Sequence, residues 1–225
     1  MVFISWVNDW DKWEKCVYRT CNSSTAQFIV VSNKKQETKN PIIENLKVFH
    51  NPDVKNIGEA YNIAKNYFFS EETQFIDKGS LCYIHQDAMI IEPNFVDKMD
   101  LLLSRKEVGL IGFIGTINKH AIPWWSVPGD CRGRILQGEA IAFWNPYDGI
   151  AEYIDAFCMV TKSNIDFSEE YKTCHFAADM DYCRRIHESG KQVRINSSLV
   201  CHLSGGIMNK EWEQSRETFK RIWNI

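Results

Sequence analysis

Between Val2 and Gly115 the chain alternates short apolar runs with segments of helical periodicity, and this alternation restricts the fold more than any other feature of the sequence. Val2–Val7 and Phe28–Val31 read as strands on either side of a helix-like stretch, Trp10–Arg19. Leu46–Phe49 reads as a third strand, followed by a helix whose apolar residues Ile57, Ala60, Tyr61, Ala64 and Phe68 recur at helical spacing behind Asn56 as N-cap. Leu81–Ile84 forms the next strand, and Pro93 suits the first turn of a helix through Met99 to Leu103. Val108–Gly115 reads as one further buried strand in which glycines permit close approach. Parallel neighbours need crossover connections, so the pattern predicts a mainly parallel, Rossmann-like α/β sheet flanked by helices.

After Thr116 the alternation dissolves. Residues 116–149 are rich in Trp, Gly and Pro and read as a long irregular segment, whose aromatic content argues against disorder. Tyr153–Thr161 reads as one strand, residues 175–190 as a helix stopped by Gly190, Leu199–Cys201 as a last strand, and Trp212, Arg216, Phe219 and Trp223 mark a terminal helix. The expected organisation is one domain with a parallel half, 1–115, and a mixed half, 116–225.

Three polar positions interrupt this apolar framework. Leu81-Cys82-Tyr83-Ile84 runs into His85-Gln86-Asp87, at the carboxyl end of a strand, where open α/β sheets bind ligands. Asp87 is therefore the first candidate ligand for a metal or substrate, the plain alternative being a turn-closing carboxylate. Val200-Cys201-His202 repeats the strand-to-histidine arrangement, and Asp179 and Asp181 stand at the start of the 175–190 helix, where the helix dipole favours acids. Two residues apart, they do not share a helical face, so one can face substrate while the other meets a structural partner such as Arg185. The adjacent Trp124 and Trp125 suit either sugar stacking or core filling.

With 225 residues and a formal net charge of −3, the chain can bury a sizeable core and has no bulk electrostatic attraction to nucleic acid. No apolar run reaches the length of a membrane span, and Met1–Val7 lacks a basic leader. The eight cysteines include no C-x-x-C pair, which favours a reduced, cytoplasmic setting. Neither G-x-G-x-x-G nor G-x-x-x-x-G-K-[ST] occurs, so a phosphate-bearing ligand must be held in another way.

Taken in order, these pieces resemble the nucleotide-sugar glycosyltransferases of the GT-A fold, in particular their inverting, family-two-like group. Gly58–Ala64 is similar to the helix after the second nucleotide-contacting loop, with Asn62 at the group's Asn. Tyr83–Asp87 is similar to the strand bearing D-x-D. Ala178–Tyr182 with Arg185 and Gly190 resembles E-D-x-D-L-x-x-R-x-x-x-x-G, and Asp179 falls on the acid that serves as base. The departures are His85 in place of the first Asp of D-x-D, Ser32-Asn33-Lys34 in place of D-D-G-S, Ala178 in place of Glu, and the lack of the Q-x-x-R-W of processive synthases.

The resemblance implies a metal-assisted, non-processive transfer from a nucleotide-diphosphate-sugar to a hydroxyl of a glycan or other acceptor, lipid-linked ones included. It implies a catalytic pair Asp179 and Asp181, a Mn2+ or Mg2+ site at Asp87 and His202, and substrate contacts from Asn8, Asn33, Asn62, His85, Gln86, Trp124 and Trp125. The expected location is cytoplasmic, extending to the membrane periphery for a lipid-linked acceptor. Two rivals are a degenerate domain that binds nucleotide or glycan without catalysis, prompted by His85 and Asn33, and a zinc hydrolase built on His85, Asp87, His175 and His202. No recognised zinc spacing supports the hydrolase.

Overall fold

The computed structural model describes residues 1–21, 26–34, 45–70, 79–137, 140–143, 145–171, 177–204 and 208–225. The first strand, β1 (Val2–Val7), leads into a helical segment made of α1 (Trp10–Trp13), a π-helical turn Glu14–Tyr18 and α2 (Arg19–Cys21). Then follow β2 (Gln27–Ser32), β3 (Leu46–His50), α3 (Ile57–Phe69), β4 (Leu81–Ile84), β5 (Ala88–Ile90) and α4 (Phe95–Leu103). The middle of the chain supplies β6 (Val108–Gly112), β7 (Ile114–Thr116), β8 (Cys131–Gln137), β9 (Ala140–Phe143), β10 (Gly149–Ala151), β11 (Tyr153–Ile154) and β12 (Cys158–Thr161). It closes with α5 (Ala178–Glu188), β13 (Gln192–Ile195), β14 (Val200–His202) and α6 (Lys210–Trp223).

An eight-stranded sheet runs β10-β13-β6-β12-β4-β1-β2-β3, and a smaller one runs β11-β7-β8-β14-β5, with β9 beside β8. The β13-β6 and β4-β1-β2-β3 pairings are parallel, whereas β12 is antiparallel to both β4 and β6. The expected mainly parallel α/β architecture with a mixed second half is what the chain adopts. In α3 the Asn56 side chain accepts from Glu59 N at 2.9 Å, and Ile57, Ala60, Tyr61, Ala64 and Phe68 are buried. Such a cap is worth about 1 kcal/mol, but burying the apolar stripe against the sheet contributes most of the helix's stability.

Several expected boundaries move. Pro93 lies ahead of α4, which begins at Phe95 behind Asn94 in a left-handed conformation. Val108–Gly115 splits at Phe113 into β6 and β7, which belong to different sheets. The segment 116–149 is not irregular throughout, since it contains β8 and β9. Tyr153–Thr161 is broken by the turn Asp155–Phe157, because β11 pairs in the small sheet and β12 in the large one. The glycines have a steric reason here: a side chain at Gly115 would strike the Tyr153 carbonyl, and one at Gly133, with φ of 101°, the Phe113 carbonyl. Backbones of neighbouring strands in the small sheet that approach this closely admit only glycine. Among the described residues every cysteine is free and buried, and no helix is long and apolar enough to cross a membrane. Cys174 lies outside the described residues.

Candidate functional site

β4 occupies the centre of the large sheet, and the chain leaves it in a tight turn. His85 N donates to Phe157 O at 2.9 Å and Ala88 N to His85 O at 3.0 Å, so Gln86 and Asp87 form the bend into β5. β5 then pairs antiparallel with β14, placing Ala88 opposite His202, and Leu203 N donates to Asp87 O at 3.1 Å. Two strand ends about 115 residues apart in sequence thus meet through one strand pairing.

The side chains converge at this meeting point. His202 Nε2 is 3.4 Å from Asp87 Oδ1 and 3.4 Å from His85 Nδ1, and one ligand atom from each of the three residues lies within 4.8 Å of the others. Among the described residues these are the group that could hold a metal ion. Asp87 is 7% exposed. Burial alone would raise its carboxyl, but hydrogen bonds from His202 and Ser204 and the neighbouring imidazoles outweigh it and hold Asp87 below the usual carboxylate range. A carboxylate kept ionised beside two imidazoles is a donor set for a divalent cation, and its nitrogens favour manganese over magnesium. His175, the fourth residue of the zinc alternative, lies outside the described residues.

Gln86 and Asn8 bind each other. Gln86 Oε1 accepts from Asn8 N at 2.9 Å and Asp9 N at 3.0 Å, and Gln86 Nε2 donates to Asn8 Oδ1 at 2.6 Å. The pair ties the carboxyl end of β1 to that of β4. At the end of β2, Asn33 Oδ1 is buried with no hydrogen-bond partner among the described residues. A buried acceptor without a donor is costly, and a ligand's N–H or O–H would satisfy it.

The second carboxylate centre sits at the start of α5, behind Ala177 at φ 65°. Asp179 Oδ1 accepts from Met180 N at 2.7 Å and Oδ2 from Ala156 N at 3.2 Å, with 6% of the residue exposed. Burial pushes its carboxyl well above the ordinary range and the Asp155 carboxylate adds to this, while the two amide bonds oppose it. Asp181 is fully buried, accepting from Arg185 Nε at 2.6 Å and from Trp223 Nε1 at 2.9 Å. These bonds engage both its oxygens and tie α6 to α5. Asp181→Asn is accordingly expected to cost about 1–3 kcal/mol of stability, read as a lowered Tm, because it strips the charge from two buried hydrogen bonds.

The remaining expected contact residues have these partners within the protein. Asn62 exchanges both amide groups with the Phe167 backbone, at 2.9 and 2.8 Å, which anchors the chain after β12 to α3. Trp124 is buried, 4% exposed. Trp125 is half-buried, edge-on to Trp124 at 5.3 Å and tilted against Trp212 at 6.2 Å. Sequence reasoning missed Phe157, whose ring stacks on His202 at 5.1 Å and 17°, and Ser204, which binds Asp87. Asp155, the one charged residue inside an apolar run, was the available sign of a turn there.

With this geometry in place, the comparisons with known proteins are specific. The family model described as "Glycosyltransferase like family" matches residues 26–223. No curated protein matches the chain. Among solved structures, the mannosyltransferase PcManGT from Pyrobaculum calidifontis, in complex with GDP-Man and Mn2+, superposes with a TM-score of 0.61 at 11% identity. The match covers 100% of this chain and 64% of that one, so this chain spans less than two thirds of that protein's length. A197 from STIV matches 88% of this chain and 81% of its own, at 13% identity and a TM-score of 0.45. The first of these likenesses establishes a shared GT-A fold.

Proposed function

Because the chain belongs to the glycosyltransferase like family, we propose that it transfers one sugar at a time from a nucleoside-diphosphate-sugar to an acceptor hydroxyl, with inversion. The observation that carries this reading is the pairing of a three-residue cation-binding group, His85, Asp87 and His202, with a separate buried carboxylate, Asp179. Sugar transfer makes two demands, positive charge near the departing diphosphate and a base for the incoming hydroxyl. A divalent ion held by those three residues would supply the first as a Lewis acid. Asp87 holds its charge, the two imidazoles complete the ligand set, and the Gln86–Asn8 clamp keeps the strand ends in register. Asn33 Oδ1, without a hydrogen-bond partner among the described residues, would accept a hydrogen bond from the nucleoside.

Asp179 answers the second demand. Its raised carboxyl makes the ionised form a stronger base than a solvated aspartate, and the Met180 and Ala156 amides hold it in one orientation. On the face of the sugar away from the diphosphate, it would take the acceptor proton as the new bond forms, which gives inversion in a single displacement. Asp181 holds the helix that carries it.

The donor bound by the structurally similar mannosyltransferase makes GDP-mannose the first to test, alongside UDP- and dTDP-sugars. Thermal shift with manganese present is expected to pick out one nucleotide-sugar, and turnover with an acceptor to release its nucleoside diphosphate only with the metal. If no nucleotide-sugar binds in a metal-dependent way, the reading is wrong; if one binds and no acceptor is glycosylated in a broad screen, the chain is a binding module. Tightly held zinc in the purified protein would favour a hydrolase.

A further inference from the structure

The turn Asp155–Phe157 touches both halves of the site although it carries none of the groups that the reaction uses. Asp155 Oδ1 accepts from Phe157 N at 3.0 Å, closing an Asx turn, and Asp155 N donates to Ile114 O at 3.0 Å. Inside the turn, Ala156 N reaches Asp179 Oδ2. Phe157 O accepts from His85 N, and the Phe157 ring stacks on the His202 imidazole. Phe157 has no exposed surface, so its ring is held by packing. A ring fixed face-on to an imidazole sets the plane of that imidazole and hence the direction of Nε2, the atom near both Asp87 and His85. Groups that fix the orientation of metal-ligating histidines, hydrogen-bonding partners above all, change metal affinity by roughly 10–100-fold.

We propose that the turn Asp155–Phe157 is the positioning element that holds Asp179 and the His85–Asp87–His202 group in register, with Phe157 orienting the His202 ring and Asp155 keeping the turn closed. The proposal rests on the transferase reading above. It explains why the chain switches sheets between β11 and β12 at this place: the switch puts one short turn within reach of the start of α5, the end of β4 and the end of β14. A continuous strand would offer amides to its neighbours only, with none free for a carboxylate.

Three variants test it, with manganese binding to the protein alone followed by electron paramagnetic resonance, and transfer kinetics measured separately. Phe157→Leu keeps an apolar side chain but loses the ring, and is expected to weaken manganese binding about tenfold while unfolding as cooperatively as the parent. Asp155→Ala opens the turn and is expected to lower kcat about tenfold or more, whereas Asp155→Asn retains the Oδ1 acceptor and should restore most of it at the pH optimum, with the acid limb of the profile moved to lower pH because the charge beside Asp179 is gone. Manganese affinity unchanged in Phe157→Leu, or an Asn variant as impaired as the Ala variant, would overturn the proposal. If the parent binds manganese but transfers no sugar, the transferase reading fails while the Phe157 arm still decides the positioning role. If the Ala variant does not fold, the Asn and Leu variants decide.

Discussion

Asp179→Asn is expected to lower sugar transfer by roughly two to four orders of magnitude while leaving donor binding in place. The substitution keeps the size of the side chain and removes the proton acceptor. The pH profile gives an independent check. Burial and the neighbouring Asp155 raise the Asp179 carboxyl well above its ordinary 3.8. The acid limb of the parent's rate profile should therefore have its midpoint well above that value, and what activity the variant retains should lack the limb. Stability carries the same sign. A group whose carboxyl is raised on folding favours the native state fully below its unfolded value, and that favour is lost as pH rises through the folded one. The stability of Asp179→Asn relative to the parent should thus improve as pH rises, although one Asn nitrogen faces an N–H donor at a cost of about 1–3 kcal/mol. A variant with near-normal turnover would remove Asp179 from the chemistry.

The second large effect is expected at Asp87. Asp87→Ala should abolish manganese-dependent nucleotide binding, measured by isothermal titration, because the two imidazoles left behind carry no negative charge to hold a hard cation. The fold should survive at a cost of about 1–3 kcal/mol, since Asp87 is buried and bonded to Ser204 and His202. Here the sign is the reverse of that at Asp179. Asp87 is held below the usual carboxylate range, so its stabilisation is present above the unfolded value and fades as pH falls through the depressed one. Parent and variant should converge in stability only in strong acid. Manganese dependence that persists unchanged in the variant would take Asp87 out of the metal group.

Local pattern alone determines much of this protein. The strands β1 to β4 and the helices α3, α5 and α6 are legible because apolar periodicity and caps such as Asn56 act over a few residues, which is the range over which a sequence can be read by eye. The polar endings of β4 and β14 are legible for the same reason, since a histidine or carboxylate that interrupts an apolar run stands out without knowledge of its neighbours. What only the tertiary structure decided depends on pairing across the chain. Whether Val108–Gly115 is one strand or two follows from which sheet each half joins, and both halves are buried. His202 and Asp87 come together through the β5-β14 register, and the Asp181 carboxylate meets Trp223, 42 residues away. The part played by Phe157 was invisible because an aromatic between two strands looks like any core residue until the imidazole on its other face is known.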